Sequence, residues 1–125
     1  MDDAQLYEVA FTHALELPGA EERPFAPGWT AVRVAEKWFM VATERQGQQL
    51  INVKATPDDI TALRQAYTSI QPGYHMNKTH WISITAGDDM SAEFVRELIT
   101  DSYALIVAAL PRAKRPYLSA PYLAN

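Results

Sequence analysis

Apolar residues between Asp3 and about Leu15 recur at Leu6, Val9, Ala10 and Ala14, the three-and-four spacing of one helix face, and Leu17-Pro18-Gly19 ends the pattern. From Glu21 to Lys54 the texture changes to short apolar runs, Trp29 to Ala35, Lys37 to Thr43 and Gln49 to Lys54, rich in Val, Ile, Phe and Trp. Ala35-Glu36 and Gln46-Gly47 separate these runs as turns. Connections that short leave no room for crossover helices, so the strands are expected to form an antiparallel meander.

Thr56-Pro57-Asp58-Asp59 then reads as a helix start, with a capping hydroxyl, Pro at the first helical position and acids that complement the helix dipole. Ile60, Leu63 and Tyr67 supply its apolar stripe. Ile70 to Lys78, containing Pro72-Gly73, is expected to be loop. Thr79 to Thr85 alternates like a half-buried strand, and Ala86-Gly87-Asp88-Asp89 turns the chain. Ser91 caps a last helical region whose stripe includes Phe94, Val95, Leu98, Ile99, Leu105 and Ile106, with Asp101-Ser102 as the expected kink or second helix start. The order helix, strands, helix, strand, helix predicts an α+β fold in two layers: one antiparallel sheet of about five strands, packed on one face by helices. The other face is left open, and a binding function would most economically sit there.

The length of 125 residues fits one domain over 1–111, followed by an extended C-terminal arm over 112–125 that carries Tyr117 and Tyr122. No apolar stretch approaches the roughly 20 residues of a spanning helix. The Met-Asp-Asp start lacks the basic and apolar parts of a signal peptide, so a soluble, non-secreted chain is expected. The absence of cysteine excludes disulfides, thiolate catalysis and Cys-type zinc sites, and agrees with a reducing cytoplasm. A net charge of −4 counts against strong non-specific DNA binding, although a local basic patch is compatible with it.

The densest group of chemically able side chains is Tyr74-His75-Met76-Asn77-Lys78-Thr79-His80-Trp81. Strand alternation places His80 with Ile82 and Ile84, at the edge of the core, as a structural histidine, and sends Trp81 to the open face. His75, Asn77 and Lys78 fall in the loop, where Asn77 either holds a left-handed turn or binds a ligand. Trp29, Trp38 and Trp81 all fall in expected strands. Two readings of these rings stand side by side: a stacking platform flanked by Arg33 or Lys37, or ordinary core covered by the arm through Tyr117 and Tyr122. His75 and His80 are too few ligands for a metal site, His13 lies far away, and no nucleophile elbow or phosphate-binding glycine loop is present, so neither a metal, a cofactor nor an enzymatic reaction is expected.

The string from Tyr74 to Trp81, together with Leu98-Ile99-Thr100-Asp101-Ser102-Tyr103-Ala104-Leu105, resembles the MmcQ/YjbR family. Leu17-Pro18-Gly19-Ala20, Lys37-Trp38-Phe39-Met40 and Asn52-Val53-Lys54 before Thr56-Pro57 extend the resemblance over roughly residues 5 to 112. It implies a CyaY-like fold, similar also to secretion chaperones, in a bacterial family commonly labelled DNA-binding by analogy with a double-wing sheet surface. On that reading Arg33, Lys37, Lys54 and Lys78 would meet phosphates and Trp81 would stack, with His75 and Asn77 beside them. Asp101, Ser102 and Tyr103 would orient His75 or His80. The alternative is a module that binds a partner protein or a small anionic ligand through His75, Asn77, Lys78 and Trp81.

Overall fold

The computed structural model describes residues 1–116. Helix α1 (Asp3–Glu16) starts at a capping box: the Asp2 carboxylate accepts from the Gln5 N–H, and the Gln5 side chain accepts from the Asp2 N–H. Four strands follow as β1 (Glu21–Ala26), β2 (Trp29–Val34), β3 (Lys37–Arg45) and β4 (Gln48–Lys54). Helix α2 (Pro57–Ala66) is capped by the Thr56 hydroxyl with Pro57 in its first turn. Short strands β5 (Ile70–Pro72) and β6 (Trp81–Ile84) come next, then α3 (Ala92–Ala109), capped by Ser91. Every strand pairing is antiparallel, and the order across the sheet is β1-β2-β3-β4-β6-β5.

One core lies between the sheet and the helices. Leu6, Ala10 and Ala14 of α1 and Val95, Ile99 and Tyr103 of α3 meet Val32, Met40, Ile51, Val53, Ile82 and Ile84 of the sheet, all fully buried. At about 25 cal/mol per Å² of apolar area, this layer supplies most of the drive to fold. The fold is thus α+β, with one open antiparallel sheet and three helices.

The sheet, expected at about five strands, holds six, and three expectations about single elements are corrected. β1 escapes the periodicity because all six of its residues are exposed, as an edge strand paired along one side allows. β5 is a three-residue strand inside the stretch expected to be loop, and β6 begins at Trp81 rather than Thr79. α3 runs unbroken through Asp101-Ser102, because the Ser102 hydroxyl is spent on the sheet and does not compete for its own helix backbone. After Pro111 the chain makes a 3₁₀ turn (Arg112–Lys114), and Arg115 donates back to the carbonyls of Leu110 and Ala108. The arm residues Tyr117 and Tyr122, which one of the two readings laid over the rings, lie outside the described residues. Among the described residues no helix is long and apolar enough to cross a membrane.

Candidate functional site

Cross-strand partners share a face, so the pairings sort the sheet without ambiguity. Val32, Met40, Val53 and Ile82 are mutual neighbours on the helix-covered side. One position away, Ala31, Val41, Asn52 and Ser83 line the other side. Trp29 with Thr43 and Leu50, Arg33 with Trp38, and Lys54 with Trp81 join them there. All three tryptophans therefore stand on the face the helices leave uncovered. Lys37 pairs with the core residue Val34 and does not, so its expected place beside the rings is corrected.

That face is not bare, because Ala31, Val41 and Leu50 are buried although they lie outside the helix-facing core. Their cover is the segment between β5 and β6 together with a line of rings. The Arg45 guanidinium lies 4.8 Å from the centre of the Tyr74 ring, and Tyr74 stacks on Trp29 at 5.9 Å and 5°. Trp29 lies 6.0 Å from Phe25, and Phe25 meets Trp38 edge-on at 5.6 Å. Arg33 closes the line 5.9 Å from the Trp38 centroid. Contacts of this kind hold rings in fixed orientations, and the His75 ring packs on Tyr74 at 4.2 Å and on Trp29 at 6.1 Å; Trp29, Trp38 and Tyr74 stay partly exposed and Phe25 is exposed. Trp81 has no place in the line and sits apart, beside Lys54.

The covering segment is built by backbone bonding. Gly73 lies against Trp81, its N–H donating to the Trp81 carbonyl at 3.2 Å. The Tyr74 N–H donates to the Ser83 hydroxyl at 2.9 Å and to the Asn52 amide oxygen at 3.3 Å, and the Asn52 amide donates to the Val41 carbonyl. This buried network ties Tyr74 to β3, β4 and β6. The left-handed residue is His75, at φ +56°, rather than Asn77. Asn77 organises the turn instead: its side-chain oxygen accepts from the Thr79 N–H and its carbonyl accepts from the N–H groups of His80 and Trp81. His80 is exposed, so its expected place at the core edge is corrected. It lies before β6 begins, and what it contributes is its carbonyl, which accepts from the Ala55 N–H at 3.0 Å. The Lys78 ammonium donates to the Gly73 carbonyl at 3.1 Å. Lys78 and Arg45 then line one cavity of about 210 Å³ with Gln48, Gln71, Tyr74 and Ser83.

Asp101, Ser102 and Tyr103 lie in the helical layer and do not orient the histidines. The Ser102 hydroxyl donates to the Phe39 carbonyl at 2.6 Å and accepts from the Lys54 N–H at 2.9 Å, which ties α3 to β3 and β4. The Tyr103 hydroxyl donates to the Pro18 carbonyl. Asp101 lines a groove of about 540 Å³ between α2 and α3, together with Asp59 and apolar residues such as Leu63, Phe94 and Leu98. Desolvation, then Asp59 and Glu97, push the Asp101 carboxyl above its usual range.

Charge is divided between the layers. The helices carry Asp3, Glu8 and Glu16, Asp58 and Asp59, and Glu93, Glu97 and Asp101. Strand pairing puts Arg23, Arg33, Arg45 and Lys54 on the uncovered face, with Lys78 beside them and Glu21 as the acid among them. Glu21 lies 2.8 Å from Arg23 and 3.5 Å from Arg33. The second contact is an ion pair without hydrogen-bond geometry, so the buried Arg33 Nε keeps an unused donor. Arg45 and Phe25 were not singled out by sequence, Tyr74 entered only as the head of the dense string, and Trp29 and Trp38 were left undecided. The signal available was a cation beside the Gln46-Gly47 turn and an aromatic at the head of the dense string.

The YjbR family model matches residues 15–105, which takes in every strand of the sheet. The uncharacterised protein YbdF of Escherichia coli O157:H7 is 42% identical over 113 residues, covering 90% of this chain and 93% of that protein. The uncharacterised protein YjbR of Escherichia coli K12 is 27% identical over 108 residues, covering 85% and 91%. Among solved structures, the Deinococcus radiodurans protein DR2400, described as carrying the DUF419 domain, superposes with a TM-score of 0.75 at 30% identity, covering 82% of this chain and 80% of that one. A Pseudomonas syringae protein shares the fold at a TM-score of 0.66 and 24% identity, covering 84% and 98%.

Proposed function

The chain belongs to the YjbR family, and we propose that it binds DNA, without catalysing a reaction, through the uncovered face of its sheet. The observation that carries this reading is the distribution of charge: eight of the fifteen acids lie on the helices, while the uncovered face presents Arg23, Arg33, Arg45 and Lys54 against Glu21, beside partly exposed rings. A cationic surface of this kind releases counterions from phosphates, and that term supplies most non-specific affinity. Separation of the layers lets it act, since charges more than about 10 Å away are largely screened at 0.1 M salt. Arg45 and Lys78 are the leading phosphate contacts, with Lys54 at the margin of the face and the Arg33 guanidinium at the far end of the ring line. A chain without cysteine fits a cytoplasmic ligand of this kind.

Fluorescence anisotropy with labelled DNA at low salt tests the reading. Affinity should fall steeply with salt, by about 0.7 to 0.9 log units per log unit of salt for each phosphate contact. The double variant Arg45→Glu, Lys78→Glu should weaken binding at least tenfold and flatten that slope. Absence of binding at low salt, or binding indifferent to this double variant, would sink the proposal. A second reading, a small anionic ligand, is favoured by the cavity that Arg45 and Lys78 share. It predicts that inorganic phosphate or a mononucleotide raises the melting temperature of the wild type and leaves the double variant unmoved.

A further inference from the structure

Resting on that reading, we infer that the DNA taken by this face is single-stranded, with its bases laid on the ring line from Tyr74 through Trp29 and Phe25 to Trp38 and its phosphates held by Arg45 at one end and Arg33 at the other. Four ring surfaces are of no use to a duplex, whose base faces are already stacked inside and which presents only groove edges and phosphates. They suit unpaired bases, because every base has a π-face and stacking tolerates any sequence. The geometry agrees. Successive ring centroids lie 5.9, 6.0 and 5.6 Å apart, so the four rings run as one continuous line along the face. A cation stands beside the last ring at each end, at 4.8 and 5.9 Å, where the backbone would enter and leave.

The platform is also fixed before any ligand arrives, since Tyr74 is tied down by Ser83 and Asn52, so little ordering cost falls on binding.

The test uses the full chain and an oligonucleotide of about 12 nucleotides, within the site sizes of small sheet-based binders, offered single-stranded and as a duplex of the same sequence. Single-strand affinity should exceed duplex affinity by tenfold or more. Binding of the single strand should quench tryptophan fluorescence, since Trp29, Trp38 and Trp81 all stand on this face. Phe25→Ala, at an exposed edge-strand position, removes one ring without opening the core and should cost on the order of tenfold for the single strand with duplex binding unchanged. Trp38→Ala should do the same, and Arg96→Ala in the helical layer should change neither. Duplex binding as tight as single-strand binding, or single-strand affinity unmoved by Phe25→Ala in a chain that still melts cooperatively, would overturn the inference and leave DNA binding standing. Failure of both forms to bind at low salt would remove the inference and the proposal beneath it.

Discussion

A methyl group built onto Gly73 would lie 2.8 Å from the Trp81 Cβ and 3.0 Å from the Trp81 carbonyl oxygen, and a strand backbone cannot retreat from such a contact. Gly73→Ala should therefore lower stability by about 1 to 3 kcal/mol, the usual cost of an overfilled site. It should also shift the tryptophan emission maximum, because Trp81 anchors the covering segment; an unchanged urea midpoint and spectrum would show that the segment gives way freely. Ser102 behaves differently. Replacing it with Ala leaves the Lys54 N–H and the Phe39 carbonyl without their shared hydroxyl, at a cost of about 1 to 3 kcal/mol readable in the urea midpoint. At this scale the sequence was informative about identity and uninformative about role. Asn77, His80 and Ser102 were all picked out as special, yet each does its work through backbone bonds that only the surrounding fold supplies.

His13 joins two elements, its ring nitrogen 2.7 Å from the Thr100 hydroxyl where α1 packs on α3. Desolvation, with a smaller push from Arg96, lowers its pKa below the ordinary 6.5, against an opposing pull from Glu16. The neutral ring is thus favoured in the folded state more than in the unfolded chain. Its contribution to stability is complete above pH 6.5 and is lost as pH falls below that value, toward and through the lowered folded pKa. Thermal melts should show this loss on acidification, and His13→Gln, which keeps a polar partner for Thr100 but does not titrate, should flatten the curve there. A profile identical in wild type and variant would assign the acid sensitivity elsewhere. The helices were legible in the sequence because their starts are local: Thr56-Pro57 and Ser91 cap within three residues of themselves. β1 and β5 were not, because an edge strand has one neighbour and need carry no hydrophobic alternation.

Charge belongs to the molecule as a whole. Glu21 is the acid that strand pairing sets among the cations of the uncovered face, and it holds Arg23 and Arg33. Glu21→Gln should tighten DNA binding several-fold and steepen its salt dependence by up to two phosphate contacts' worth, about 0.7 to 0.9 each. Glu97→Gln in the helical layer should leave both nearly unchanged at 0.1 M salt, where screening acts over about 10 Å. Equal effects from the two variants would mean that bulk charge, and not the face, governs association. Sequence by itself determined the helices, the antiparallel meander, the α+β class and the family, because caps, turns and periodicity are properties of neighbours along the chain. Only the tertiary structure decided which way Trp29 and Trp38 face, that Arg45 lies over Tyr74, and that Arg23, Arg33, Arg45 and Lys54 share one face of the sheet. The reason is register: a strand's side chains change faces with a one-residue slip, and that slip is settled by partners far away in the chain.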